Sequence, residues 1–179
     1  EFTHTRHSMR KFSETAIPEE LMRKVIDLAN SAPSACNRQS VRIFHIANRA
    51  VSRQILDIQG GARGHSQSEL LLLASDLSLY RYLSELELPY LDGGIYLMNL
   101  LYALHYYQLA SCPLVWDDYG ENGKKLRDII EIPQGYHVIA VVQCGFYPED
   151  GGCYAVSNRR DIDSIYTRID GAISQGDDK

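Results

Sequence analysis

The sequences R-H-S-M-R at residues 6–10 and A-P-S-A-C-N-R-Q at residues 32–39 are the most informative stretches of this chain. In an extended segment alternate side chains point the same way, so Arg6, Ser8 and Arg10 would offer two guanidiniums and a hydroxyl to one anionic group. A solvated basic strand edge is the alternative interpretation of the first stretch alone. The first stretch does not stand alone, because an amphipathic helix connects it to the second stretch.

Further motifs follow along the chain. They are I-P-E-E-L at 17–21, D-G-G-I-Y-L-M-N-L-L-Y-A-L at 92–104, A-S-C-P-L at 110–114, I-P-Q-G-Y at 132–136, G-F-Y-P-E at 145–149 and N-R-R at 158–160. In this order and at this spacing, the set resembles the nitroreductase-like flavoproteins, which carry FMN at a homodimer interface.

The resemblance implies an α+β nitroreductase-like fold: a mainly antiparallel central sheet flanked by helices, with a C-terminal segment that extends over the partner subunit. We expect residues 1–179 to form a single domain, because this length suits one well-packed core. Family members usually have a helix before the basic cluster, so we expect that some N-terminal sequence is missing. The polar residues at about 172–179 are expected to form a disordered tail.

The resemblance also implies which residues bind FMN. Pro-Ser-x-x-Asn of one subunit would contact the flavin held mainly by the other, and a C-terminal arginine would close the phosphate site. Arg10 is the candidate catalytic residue, because its charge would stabilise the reduced flavin. The candidate cofactor-binding residues are Arg6, His7, Ser8, Arg10, Pro33, Ser34, Ala35, Asn37, Pro113, Leu114, Arg159 and Arg160.

Several of these residues have a local interpretation as well. Ser34 and Asn37 could cap their own loop. Arg159, the first choice for the phosphate, and Arg160 could be a solvated pair. Pro113 cannot donate a hydrogen bond, so Leu114 or a neighbour would have to approach flavin N5.

Two other patterns suggest no chemistry of their own. Cys112 has no base near it in the sequence, so we expect a small buried side chain and not a nucleophile. His4 and His7 form an H-x-x-H pair without further ligands, so no metal site is predicted.

The chain departs from the family pattern at two places. Many members have Gln-Pro-Trp where this chain has Gln39-Ser40-Val41, and Gly-Leu-Gly where it has Gln108-Leu109-Ala110. These changes concern the substrate pocket more than the flavin site.

Composition narrows the class of partner. The chain is 45% hydrophobic and 23% charged, and its net charge of −5 argues against a nucleic-acid partner. Its four cysteines form no C-x-x-C motif, which fits a reducing cytoplasm. The longest apolar run, residues 70–74, is too short to span a membrane.

Periodicity and turn signals predict alternating helices and strands. Helices are expected from Pro18 to about 30, from Asn48 to about 58, from Asp92 to about 109 and at 123–130. Strands are expected at 41–47, 69–75, 111–116 and 137–145. In the long helix from Asp92, the stripe that is expected to face the core consists of Ile95, Met98, Asn99, Tyr102, Ala103 and Tyr106.

The resemblance therefore predicts an FMN-dependent oxidoreductase that works as a homodimer. NAD(P)H would deliver a hydride to flavin N5, and a small acceptor such as a nitroaromatic or a quinone would then be reduced in the same pocket. Two alternatives remain open at this point. One is an FMN-binding protein with little turnover, and the other is a flavoprotein module of a peptide- or polysaccharide-tailoring assembly.

Overall fold

The structure is a computed structural model and describes residues 1–171. Its helices are α1 (Phe2–Thr5), α2 (Glu19–Ala29), α3 (Arg49–Gln59), α4 (Leu88–Tyr106) and α5 (Glu121–Ile129). Its strands are β1 (Val41–Ile46), β2 (Glu69–Asp76), β3 (Leu109–Val115) and β4 (Tyr136–Phe146). Short 3₁₀ turns lie at Ala35–Asn37, Leu77–Leu79, Leu83–Glu85 and Ile162–Ser164.

The four strands form one sheet in the order β1-β2-β4-β3, and every neighbouring pair is antiparallel. In the register, Leu72 of β2 lies opposite Phe44 of β1 and Val141 of β4. The α+β class and the mainly antiparallel sheet that the family resemblance implied are confirmed.

Strand β2 explains why helices cover both faces of the sheet. Successive side chains of a strand point to opposite faces, and the run from Leu70 to Leu73 is apolar at every position. Leu71 and Leu73 pack in a cluster with α2 and α4, whereas Leu70 and Leu72 pack in a second cluster with α3 and α5. Each of these leucines is fully buried and contributes about 1.5–3 kcal/mol to stability.

The central helix α4 differs from its sequence prediction in orientation. Ile95, Met98 and Tyr106, placed in the core by the prediction, are 37%, 38% and 61% exposed. The side that packs on the sheet carries Tyr96, Leu100, Leu101, Ala103 and Leu104, so Ala103 is the one buried residue common to both sets. The helix is apolar on both sides, and its pattern therefore did not identify the buried one.

Element boundaries differ by a few residues from the predicted ones. Helix α4 begins at Leu88 and not at Asp92, because Pro89 is accommodated in the first helical turn. Strand β3 begins at Leu109, directly after Gln108, whose φ of 58° turns the chain sharply out of the helix. As predicted, Asn48 caps α3, and its side-chain oxygen accepts from the backbone N–H of Ala50 at 2.9 Å.

Candidate functional site

The basic stretch at residues 6–10 is laid along the free edge of β3. Ser8 forms a parallel bridge with Ser111, and the backbone N–H of Met9 donates to the carbonyl oxygen of Ser111 at 2.9 Å. The Met9 side chain is 1% exposed and packs with Phe12 and Cys112. Because side chains alternate along an extended segment, burial of Met9 turns its two neighbours away from the core.

Arg6, Ser8 and Arg10 line one cavity of about 600 Å³, which we call the arginine cavity. This volume is within the range that is typical of cofactor sites. The other lining residues come from the N-terminal segment, from α4 and from the C-terminal segment: Thr3, His4, His7, Met98, Tyr102, Ala155, Val156, Ser157 and Arg159. The cavity therefore brings Arg6, Ser8 and Arg10 close to Arg159, which lies about 150 positions further along the chain.

Among the residues that line the arginine cavity, Arg6 carries the strongest indication of a ligand. Its Nη1 atom is buried and has no hydrogen-bond partner among residues 1–171. Within the same part of the chain, no aspartate or glutamate forms a salt bridge with Arg6, Arg10 or Arg159. A buried donor without a partner costs roughly 1–3 kcal/mol, and an anionic oxygen in the cavity would remove that cost.

The positive field of the arginines reaches neighbouring groups. Burial lowers the pKa of His105, and the charges of Arg6 and His7 lower it further. Burial raises the pKa of the Cys112 thiol, while the charges of Arg10 and Arg6 act in the opposite direction. Cys112 is 3% exposed, as predicted for a small buried side chain, and its raised pKa argues against a thiolate nucleophile.

The C-terminal segment reaches the cavity through an aromatic contact. The ring of Tyr154 stacks on His7 with centroids 3.8 Å apart and an angle of 11° between the planes. Arg159 then lines the cavity, and its guanidinium donates to the carbonyl of Ser157 at 2.9 Å. Of the two adjacent arginines, Arg159 lines this cavity and Arg160 does not.

The loop at residues 33–39 has a strained backbone. Cys36, Asn37 and Gln39 have φ values of 51°, 54° and 51°, in the left-handed region that side chains normally avoid. Such a conformation costs roughly 1–2 kcal/mol for an ordinary residue and somewhat less for asparagine. Strain of this kind concentrates at functional sites, where the surrounding structure enforces it.

Ser34 performs the local role that the sequence left open. Its hydroxyl oxygen accepts from the backbone N–H of Gln39 at 2.9 Å and so connects the start of the loop to its end. The hydroxyl proton remains available to a ligand, because a serine hydroxyl can donate and accept at once. The side chain of Asn37 is exposed.

The structure does not bring all the predicted residues into one cavity. Pro33 and Ser34 line a separate cavity of about 310 Å³, together with Asp92 and Tyr96. Pro113 and Leu114 are half-buried in β3 and line neither this cavity nor the arginine cavity.

Sequence reasoning missed the residues that support the site. Met98 and Tyr102, which were predicted to face the core, line the cavity, and Tyr154, for which nothing was predicted, stacks on His7. Asp92 is 2% exposed, and its carboxylate accepts from the backbone N–H of Ala35 in the loop at residues 33–39. A carboxylate at the start of an otherwise apolar helix was the available signal.

Comparison with known proteins gives consistent results. The sequence model described as "Nitroreductase family" matches residues 4–72. A protein of Archaeoglobus fulgidus, provisionally named NADH dehydrogenase/NAD(P)H nitroreductase, is 25% identical over 164 residues that cover 91% of this chain and 93% of the relative. The Thermus thermophilus protein named NADH dehydrogenase is 26% identical over 178 residues, covering 82% and 85%.

Solved structures agree with this result. A nitroreductase family protein of Streptococcus pneumoniae superposes with a TM-score of 0.74 at 16% identity, over 94% of this chain and 98% of the other. The chain has the nitroreductase fold. A nitroreductase family protein of Clostridium novyi superposes with a TM-score of 0.69 at 20% identity, over 83% and 84%. The resemblance to the nitroreductase family that the motifs predicted is confirmed.

Residues 1–171 of this nitroreductase-like chain lack two features, a membrane-spanning helix and a cluster of metal ligands. No helix there is long and apolar enough to cross a membrane. In the same residues, histidine, cysteine, aspartate and glutamate side chains form no group of three or more that could hold a metal ion.

Proposed function

We propose that this chain is an FMN-dependent oxidoreductase that uses NAD(P)H to reduce a small electron acceptor. The observation that carries the proposal is the buried Nη1 of Arg6, which has no partner among residues 1–171 and belongs to a side chain of the arginine cavity. The names of the curated relatives, which include NADH dehydrogenase and NAD(P)H nitroreductase, support the reaction class.

The residues of the arginine cavity fit the phosphate of FMN. Arg6 and Arg159 would hold its oxygens by charge-assisted hydrogen bonds, and Ser8 would add a neutral donor. A phosphate dianion suits a cavity in which no carboxylate neutralises these arginines within residues 1–171. His7, already stacked on Tyr154, would form one wall of the site.

When bound, FMN supplies the chemistry of accepting a hydride from NAD(P)H and passing the electrons to an acceptor such as a nitroaromatic or a quinone. Arg10 lines the same cavity and has an exposed side chain, so it can place positive charge beside the cofactor. The proposed role of this chain is to bind and orient the cofactor, and Arg10 is the proposed catalytic residue.

We propose further that the active form is a homodimer. The outward face of α4 leaves Leu91, Ile95 and Met98 exposed, and Phe2 lies exposed beside it against Tyr102. Residues 153–171 are exposed throughout, although they include large apolar side chains: Tyr154, Val156, Ile162, Ile165, Tyr166 and Ile169. Exposed apolar surface of this kind marks an interaction face, and a second copy of the chain is the proposed partner.

In such a dimer the loop at residues 33–39 would reach the flavin of the other subunit. This arrangement would explain why the loop and the arginine cavity are separate in one chain. Ser34 and Asn37 would then complete a site that is built mainly by the partner, with Pro113 and Leu114 along the flavin.

Steady-state oxidation of NADH and NADPH by the FMN-loaded protein, with menadione or a nitroaromatic as acceptor, tests the reaction. Turnover that depends on both FMN and acceptor supports the proposal. A protein that binds FMN but oxidises neither nucleotide would instead be a flavin-binding protein with little turnover.

A further inference from the structure

Asp92 is a buried carboxylate whose two oxygens hold two different segments of the chain. It lies near the start of α4 and is 2% exposed. Its Oδ1 accepts from the backbone N–H of Ala35 at 2.9 Å, and its Oδ2 accepts from the hydroxyl of Tyr80 at 2.8 Å. Burial of a carboxylate is costly without such donors, and these two bonds offset that cost.

The bond to Ala35 acts where the loop is most strained. Ala35 immediately precedes Cys36 and Asn37, two of the three residues of this loop with left-handed backbone. A loop of non-glycine residues does not hold this conformation unless its surroundings impose it. The Asp92 carboxylate is a fixed anchor for the first amide of that turn, because it is built into a helix that packs on the sheet.

Tyr80 extends the anchor to the end of the loop. Its hydroxyl lies 2.6 Å from Oγ of Ser40, and Ser75 of β2 donates to the same Ser40 oxygen at 3.1 Å. Ser40 is fully buried and occupies the position where many family members have proline. Proline has no hydroxyl, so this connection depends on the serine that distinguishes this chain.

A second set of contacts also holds the loop at residues 33–39. Arg38, in the middle of the loop, forms an ion pair with Glu85 and lies over the ring of Tyr80 at 5.3 Å from its centroid. The pKa of Glu85 is lowered by the backbone N–H of Arg81 and by Arg38, which is the direction expected for a carboxylate held in its charged form. The segment at residues 77–87 therefore contacts the loop through Tyr80 and Glu85.

We infer that Asp92 is a positioning residue, which acts with Tyr80 to fix the loop at residues 33–39 in the shape that meets the flavin of the partner subunit. The inference rests on the proposed function for its flavin-binding part. The claim that Asp92 positions the loop rests on hydrogen bonds within one chain, and it is tested on the flavin-free protein.

Four variants separate positioning from general stability. Asp92→Ala removes both bonds, whereas Asp92→Asn keeps an oxygen for the Ala35 N–H and offers its amide to the Tyr80 oxygen. Ser75→Ala is the matched control, because it removes a buried hydrogen bond of the same network without freeing the loop. Tyr80→Phe is a milder substitute if Asp92→Ala does not fold.

Amide hydrogen exchange of the flavin-free proteins is measured over residues 33–39, together with FMN affinity and urea unfolding. In Asp92→Ala we expect exchange at Ala35 to be about tenfold faster and FMN affinity to be about tenfold weaker, as for the loss of one charge-assisted hydrogen bond. Asp92→Asn should restore most of both values. Ser75→Ala should be less stable, with exchange and FMN affinity unchanged.

The inference is overturned if the amide of Ala35 exchanges in Asp92→Ala at the same rate as in the wild-type protein. If Tyr80→Phe replaces Asp92→Ala, the same result in Tyr80→Phe overturns it. An equal loss of FMN affinity in Ser75→Ala also overturns it, because the effect would then follow stability alone. If the wild-type protein binds no FMN, the proposed function fails together with the flavin-binding part, and the exchange result alone then supports or overturns the loop-positioning part.

Discussion

The backbone N–H of Met9 donates to the carbonyl oxygen of Ser111 at 2.9 Å, and this bond fixes the direction of the arginine side chains. It lays residues 6–10 along the edge of β3, where the Met9 side chain enters the core beside Cys112. Arg10, one position further along, is therefore turned out into the arginine cavity. The local alternation predicted from the sequence has a structural cause in this pairing.

Arg10→Met should lower the rate of flavin reduction by NAD(P)H more than it lowers FMN affinity. An interaction that is stronger in the charged, reduced state than in the ground state affects rate more than binding, and we expect roughly a tenfold loss of rate. Stopped-flow reduction at saturating NAD(P)H measures it. The neighbouring Lys11→Met, which lies outside the arginine cavity, is the control. A variant that binds FMN poorly but reduces at the wild-type rate when loaded would make Arg10 only a phosphate ligand.

Ile95→Lys should shift the protein from dimer to monomer. Ile95 lies on the exposed apolar face of α4, and a buried unpaired charge at the interface would oppose association. Sedimentation velocity at micromolar concentration checks this. Val115→Lys places the same charge on another exposed apolar residue, which is 85% exposed, and should stay dimeric. A wild-type protein that sediments as a folded, flavin-loaded monomer would contradict the proposed dimer.

The stability of the protein should decrease as pH falls below about 6.5, in part because of His137. Burial lowers the pKa of this residue, although the nearby Asp118 partly opposes the shift. With a folded-state pKa below the unfolded one, the unfolded chain takes up the proton first, so acid favours unfolding until the folded-state pKa is passed. His105 contributes in the same direction.

Urea unfolding between about pH 7 and pH 5 measures this dependence. The decrease in the free energy of unfolding should be smaller in His137→Gln than in the wild-type protein. The control is His4→Gln, which changes an exposed histidine and should show the same decrease as the wild-type protein. Equal slopes for wild type and His137→Gln would show that His137 does not titrate differently in the two states.

Much of the fold could be predicted because its signals are local. Asn48 caps α3 through its own neighbouring amides, and the apolar run of β2 needs no distant partner to be recognised. The predicted orientation of α4 was wrong for a physical reason. Both sides of the helix are apolar, and only the packing on the sheet decides which side is buried.

The site was predictable only in part. Alternation placed Arg6, Ser8 and Arg10 together, whereas Arg159 was selected through the family resemblance. The bond between Asp92 and Ala35 joins residues 57 positions apart, and no local pattern specifies such a contact. Long-range hydrogen bonds of this kind follow from the tertiary arrangement.

Titration of the flavin-free protein with FMN tests the central claim, using wild type, Arg6→Ala, Arg159→Ala and the control Lys11→Ala. The account predicts that wild type and Lys11→Ala bind FMN with equal affinity. Arg6→Ala and Arg159→Ala should each bind about ten- to a hundredfold more weakly, because each loses a charge-assisted contact to phosphate. Wild-type affinity in both arginine variants, or no FMN binding by the wild-type protein, would contradict the account.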